Sequence, residues 1–270
     1  MPNPIVTALI PNYKTLKVTK LCLRLLRKYT DPKKIDIIVI DNDSRDNSLE
    51  YLKSLEYITL IERKKKQDDT PSLSHARALD LAMDQVTSPY VLSMHTDTFV
   101  KHSDWLDTLL AEMEKESIIA GVGSWKLENK PFIKRLAKAI EYQWESAYYR
   151  LIGKTDHALE GKGQNFLYLR SHLALYRMDL IRKHNLSFAD GEETAGKIMH
   201  KKLVDNGYKM VFLESTFLSK YVIHLNHATM VLHPELGARK STIRKGLKRI
   251  NKALKDLNAE QILMDDSLDY

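Results

Sequence analysis

Asp97 and His95 stand just past an apolar run, Pro89 to Ser93, with Thr96 between them (PYVLSMHTDT). A carboxylate and an imidazole so spaced can hold one divalent cation, and the cation can hold a diphosphate. The same Asp97 can equally do no more than cap the next turn. Asp41-Asn42-Asp43-Ser44 closes a second apolar run, Ile35 to Ile40, and either hydrogen-bonds a base edge or ribose or simply forms a turn. Ser74-His75-Ala76-Arg77 reads as the opening of a helix. Helix N-termini attract phosphate and Arg77 adds a cation, the plainer alternative being a surface arginine. Gly191-Glu192-Glu193-Thr194 precedes another helical pattern. A carboxylate there suits a general base beside a pocket, or merely complements a helix dipole. His224, His227 and His233 fall within ten residues, at a spacing that matches no compact zinc site. One of them could reach a cation through the fold.

The elements that must position these groups follow from the apolar pattern. Ile5 to Ile10, Ile35 to Ile40, Tyr57 to Ile61 and Pro89 to Ser93 read as buried strands. Helical spacing runs through Leu21, Leu25 and Leu26, through 48–54 with Asp46-Asn47 as cap, and through Ser74 to Val86. This alternation predicts a parallel sheet flanked by helices, with ligands outside the carboxyl ends of the strands. Pro11-Asn12-Tyr13, Asp41 to Ser44 and His95 to Thr98 all fall there. Farther on, the pattern predicts helices over Ser103 to Lys115, Phe132 to Ile152 and Thr194 to Asn206, the last closed by Gly207. Strands are expected at Ile118 to Ser124, Phe166 to Tyr176, Lys209 to Leu213 and Tyr221 to Leu225, with a final helix through Leu247, Ile250, Leu254 and Leu257. The acidic last dozen residues read as frayed.

Composition narrows the class. The 270 residues suit one large α/β domain or a domain with an appended element, and allow a core that needs no disulfide or structural metal. One cysteine, Cys22, rules out an internal disulfide framework and a four-cysteine zinc site. The net charge of +7 favours anionic partners. Ile5 to Ile10 is too short for a signal peptide and no run is long enough to span a bilayer, so the expected location is cytoplasmic, at most peripheral on a membrane. A P-loop, a GxGxxG fingerprint, a GxSxG elbow and an HExxH helix are all absent, which sets aside P-loop NTPases, NAD-dependent dehydrogenases, α/β-hydrolases and zincins.

Four ordered segments, Ile5–Tyr13 (IVTALIPNY), Ile37–Ser48 (IIVIDNDSRDNS), Ser74–Ala82 (SHARALDLA) and Pro89–Thr98 (PYVLSMHTDT), resemble the family 2 glycosyltransferases of the GT-A fold, over about residues 4–125. A weaker resemblance covers Asp190 to Tyr208. It implies a mostly parallel sheet flanked by helices, with 1–235 as the GT-A domain (1–125 the nucleotide-sugar half, 126–235 the acceptor-side half) and 236–270 as a helical extension with an acidic tail. The implied activity is sugar transfer from a nucleotide-diphosphate donor, UDP by base guess, to an acceptor hydroxyl with inversion, assisted by Mg²⁺ or Mn²⁺. The acceptor would be a glycan or a lipid-linked precursor. By position, Pro11, Asn12, Tyr13, Asp41, Asn42, Ser44, His75, Arg77 and Thr96 fall to the donor. Asp97, with His95 where the family has its first Asp, falls to the metal, together with His224 or His227. Glu193, with Glu192 as its rival, falls to the base. The sequence departs from the family at two places, with His95 where the first Asp stands and Glu-Glu-Thr where Glu-Asp is commoner.

From Arg239 to Lys255 one helical face is basic and the other carries Ile243, Leu247, Ile250 and Leu254. Such a helix either lies on an anionic membrane, through 239–257, or packs on the domain with a solvated basic face. The competing readings are a sugar-nucleotide pyrophosphorylase, lacking its glycine-rich signature after Ile10, a nucleic-acid-binding module without any reading motif, and a degenerate transferase that binds donor without turnover. No nucleic-acid partner is expected.

Overall fold

The computed structural model describes residues 4–127, 132–153, 160–161, 163–226, 228–236 and 239–270. The first half alternates strand and helix: β1 (Val6–Asn12), α1 (Leu16–Tyr29), β2 (Ile35–Asp41), α2 (Asn47–Lys53), β3 (Thr59–Glu62), α3 (Pro71–Met83) and β4 (Tyr90–Met94). There follow β5 (Thr98–Val100), α4 (Trp105–Met113), β6 (Ile119–Gly123), α5 (Phe132–Leu151), β7 (Leu173–Arg177), α6 (Met178–Lys183), α7 (Lys197–Asp205) and β8 (Lys209–Phe212). The described chain closes with α8 (Ser215–Leu218), β9 (Val222–His224), α9 (Ala228–Leu232), α10 (Lys240–Asp256) and α11 (Ala259–Met264).

Seven strands form one sheet in the order β3-β2-β1-β4-β7-β6-β8. The pairs among β1 to β4 and the pair β6–β8 are parallel, whereas β7 runs antiparallel to both β4 and β6. Because helices cover both faces, the strands read as unbroken apolar runs rather than as alternating ones. The alternation survives in where each side chain goes. Val6, Ala8 and Ile10 enter a core with α1, α4, α10 and α11, while Leu9 enters a second core with α3, α6 and α7.

Several boundaries differ from the sequence expectation. The strand expected over Phe166 to Tyr176 is confined to Leu173–Arg177, since only that stretch meets β4. The helix expected from Ser74 starts at Pro71, with the Thr70 hydroxyl accepting from the Leu73 amide. Ser74 to Arg77 therefore lie past the first turn, and their amides are not free for a phosphate. Thr98, expected in the polar loop after the fourth strand, instead opens Thr98–Val100, which pairs antiparallel with β9 as a separate two-stranded ribbon. The last residues are not frayed. α11 and a helical turn at Asp266–Asp269 lie against α1, where the fully buried Arg24 guanidinium donates to Asp266, to Asp269 and to the Ile262 and Leu263 carbonyls. A cation in the middle of an apolar α1 draws the acidic tail onto itself.

Candidate active site

Two backbone pairings assemble the site. β4 meets β7 antiparallel, with Met94 opposite Leu173, so the residues just past one strand lie against those just before the other. The His95 amide and the Thr98 hydroxyl both donate to the His172 carbonyl. The β5–β9 ribbon then sets Thr98 opposite His224, and the Leu225 amide donates to the Asp97 carbonyl.

The result is a cluster of imidazoles around one buried carboxylate. His224 Nε2 lies 3.2 Å from Asp97 Oδ1, and His95 Nδ1 lies 3.8 Å from the same oxygen. One ligand atom from each of the three lies within 4.8 Å of the others. His95 Nε2 and His75 Nε2 each lie 3.1 Å from the Ser171 hydroxyl, and the His75 and His95 rings meet edge to face. His172 stacks on His224, and its Nε2 lies 3.0 Å from the Ser124 hydroxyl.

Electrostatics suit a cation. Burial alone would raise the Asp97 carboxyl, but His224, His95 and the Ala228 amide outweigh it and hold it well below the usual carboxylate range. Burial pushes His75 down to about 4, and pushes His95 and His172 well below the ordinary imidazole value. These rings are neutral at neutral pH, with lone pairs free to ligate. His224 Nε2 is buried and, despite its closeness to Asp97, finds no hydrogen-bond partner among the described residues. A buried imidazole nitrogen facing a carboxylate and a second imidazole is a donor set that could hold a metal ion. Two nitrogens and one oxygen fit Mn²⁺ better than Mg²⁺, which prefers oxygen alone.

The other sequence candidates form two further groups. Asn12 Nδ2 lies within hydrogen-bond distance of Asp41, Ser44 and Ser48, while its Oδ1 accepts from Thr19. Asp41 also accepts from the Ser44 amide. Asn12, Asp41 and Ser44 thus lock the ends of β1 and β2 together, and half-buried Pro11 and Tyr13 flank that knot. Asn42 donates to the Ser74 hydroxyl and accepts from Arg63. Arg63 and Arg77 converge on the fully buried Asp69 carboxylate, and Arg77 also pairs with Asp68. Arg77, on α3, is thereby engaged by the loop before that helix rather than presented alone to a phosphate. Thr96 is buried between His95 and Asp97.

Glu193 is half exposed and pairs with Lys197 at 2.5 Å; its carbonyl accepts from Ser72 at the start of α3. Glu192 is exposed, with a left-handed φ of 53°. His233 pairs with Glu235, outside the cluster, and His227 lies outside the described residues.

Sequence reading missed Ser124, Arg170, Ser171 and His172. The one signal was a polar triplet directly before an apolar run, and it becomes meaningful only once β7 is known to run antiparallel to β4. The Arg170 guanidinium sits over the Trp125 and Tyr168 rings, 5.3 and 5.8 Å from their centroids, and its charge helps depress His95 and His172. Trp125 in turn donates to Glu160.

The glycosyl transferase family 2 model matches residues 7–184, from β1 through the cluster to the end of α6. The chain belongs to glycosyl transferase family 2. The matched span includes Asp41, His75, His95 and Asp97 but stops before Glu192, Glu193 and His224. No curated protein matches the sequence significantly. Solved structures agree on the fold. The Pyrobaculum calidifontis mannosyltransferase PcManGT, in complex with GDP-Man and Mn²⁺, is similar at TM-score 0.53 and 15% identity, over 78% of this chain and 55% of that one. The Mycobacterium tuberculosis glucosyl-3-phosphoglycerate synthase, in complex with Mn²⁺, UDP and glucosyl-3-phosphoglycerate, is similar at 0.51 and 16% identity, over 91% and 80%. S. aureus TarS 1-349 is similar at 0.51 and 12% identity, over 77% and 57%. The chain therefore spans little more than half the length of the mannosyltransferase and of TarS.

Proposed function

We propose that the protein transfers a sugar from a nucleoside-diphosphate donor, UDP-linked, to an acceptor hydroxyl with inversion, and that the transfer is metal-assisted. The observation that carries this reading is the His95–Asp97–His224 cluster at the carboxyl end of β4, where a family 2 fold receives its donor. Mn²⁺ and nucleotides in the crystallised neighbours support it.

In this reading Asp97, His95 and His224 hold the cation, and the cation would supply positive charge to the departing diphosphate. The knot of Asn12, Asp41 and Ser44 fixes the floor on which Pro11, Tyr13 and Asp41 receive base and ribose. Asn42 and Ser74 brace that floor against α3, and His75 lines the donor side through Ser171. Arg170 adds a second fixed cation where the leaving group gains negative charge. Glu193, or Glu192 beside it, takes the proton of the attacking hydroxyl, Glu193 first exchanging its Lys197 partner for the acceptor. Residues 1–125 bind donor, 126–235 face the acceptor, a glycan or lipid-linked precursor, and 236–270 form an extension. α10 packs Ile250 and Ala253 onto the domain, which leaves its basic face to solvent.

Calorimetric titration with UDP, GDP, CDP and dTDP, each with Mn²⁺, with Mg²⁺ and with chelator, tests the reading. The expected outcome is tight binding of one nucleotide, strongest with Mn²⁺, lost with chelator and lost in Asp97→Asn. Equal binding in chelator removes the metal role, and no binding of any nucleotide removes the transferase reading.

A further inference from the structure

α5 is a 20-residue helix in which no described side chain is fully buried. Along it Ile133, Leu136, Ile140, Trp144, Tyr148 and Leu151 are 79, 51, 51, 74, 60 and 86% exposed. From Ile133 to Leu151 the stripe advances in steps of three and four residues, on average about 3.6, the period of a straight helix. The six side chains fill an arc of about 120°, which also contains Ala137 and Ala147 and no charged residue. Lys138, Glu141 and Glu145 fall outside the arc, and Lys138 ties that flank to Glu160 at 3.1 Å. The other amphipathic helices bury their apolar faces: α1 buries Leu21, Leu25 and Leu26, and α10 buries Ile250 and Ala253. A soluble domain does not leave six large apolar side chains in one exposed line without a partner for them.

The composition of the stripe selects the partner. Trp and Tyr together with Ile and Leu are the residues that settle at a lipid headgroup boundary, where a ring can bury its body and keep its polar tip wet. The chain as a whole carries a net charge of +7. That charge matches an anionic bilayer. A second copy fits less well, because a two-stranded coil needs a seam of period 3.5 and this stripe keeps to the straight 3.6 of a helix lying on a flat surface. Among the described residues no helix is long and apolar enough to cross a membrane.

We propose that α5 lies in the plane of an anionic bilayer, its Ile133–Leu151 face inserted at the headgroup boundary, so that the acceptor half of the protein sits against the lipid. This surface is distinct from the basic face of α10, and the inference stands whether or not the chain transfers sugar.

The test is flotation of the full chain with phosphatidylcholine vesicles, with and without phosphatidylglycerol, alongside tryptophan emission. Of the three tryptophans, Trp105 is buried in the core and Trp125 is held between Arg170 and Glu160, so a blue shift that disappears in Trp144→Phe reports α5. The expected result is flotation on the anionic vesicles, a blue shift, and an approximately tenfold loss of floated protein in Ile140→Glu/Trp144→Glu. Both positions are exposed, and an unchanged circular dichroism spectrum checks the fold of the variant. No flotation, or flotation unaffected by the α5 pair, overturns the proposal. So does loss of flotation in Lys248→Glu/Lys252→Glu alone, which assigns the contact to α10. A doubled mass in light scattering that the α5 pair abolishes, without flotation, assigns the face to a second copy. Nucleotide titration of the same variant is expected to match wild type, which separates this result from any failure of the transferase reading.

Discussion

Asp69 shows how one carboxylate organises the loop before α3. Its side chain is fully buried; it accepts from Arg63, from Arg77 and from the Lys66 amide. Burial alone would raise its pKa, but these donors outweigh burial and hold it at about 2. The folded value lies below the unfolded value of about 3.9, so this stabilisation is present above about pH 4 and is lost as pH falls through about 2. Urea midpoints of the whole chain should drop between pH 4 and 2, and Asp69→Asn should start lower and flatten that part of the profile. A wild-type slope retained in Asp69→Asn would assign the acid sensitivity elsewhere. At the same scale, Glu193→Gln should leave nucleotide affinity unchanged and lower turnover by about 10²–10⁴-fold. Turnover that falls only in Glu192→Gln would move the proton acceptor one residue back.

Among the elements, the seam between α9 and α10 is set by one glycine. A Cβ at Gly246 would stand 2.5 Å from Val231 Cγ2. Inside an exposed helix, Gly→Ala gains about 1 kcal/mol from propensity. Here the overlap wins, because valine is stiff at χ1 and offers no flexible end to move. Gly246→Ala should therefore destabilise by about 1–3 kcal/mol in urea unfolding. Adding Val231→Ala should restore part of the loss, and stability unchanged in the single variant would show that α10 is free to shift. The seam of α11 against α1 has a different origin. Arg24, fully buried, depends on Asp269 and Asp266, so Asp269→Ala should cost about 3 kcal/mol by leaving a buried guanidinium half compensated.

For the whole molecule, the site draws on distant parts of the chain. His95 and Asp97 follow β4, His172 precedes β7 and His224 ends β9, so a cation held by His95, Asp97 and His224 would tie the sheet to the small ribbon. Ligand that binds only the folded chain stabilises it by mass action, about 2.7 kcal/mol at 100 times its Kd. For a protein of this size that is a rise in Tm of about 5–10 °C. Thermal melts with Mn²⁺ and the preferred nucleotide should show it, chelator should reverse it, and Asp97→Asn should lack it. A rise that persists in Asp97→Asn would place the cation elsewhere.

The sequence by itself determined the first half of the fold. Unbroken apolar runs require a sheet covered on both faces, and turn formers at their ends require polar loops on one edge, so β1 to β4 with Asn12, Asp41, His95 and Asp97 were legible from pattern alone. What the tertiary structure decided was pairing over long separations. Nothing in Arg170-Ser171-His172 announces that the strand after it runs antiparallel to β4, and only that direction brings Ser171 to His75 and His95. Nothing near Thr98 announces the ribbon with β9 that carries His224 to Asp97. The acidic tail reads as solvent-loving until the buried Arg24 of α1 is seen to need it. In each case the deciding energy belongs to a contact between residues tens to hundreds of positions apart, and local periodicity does not encode it.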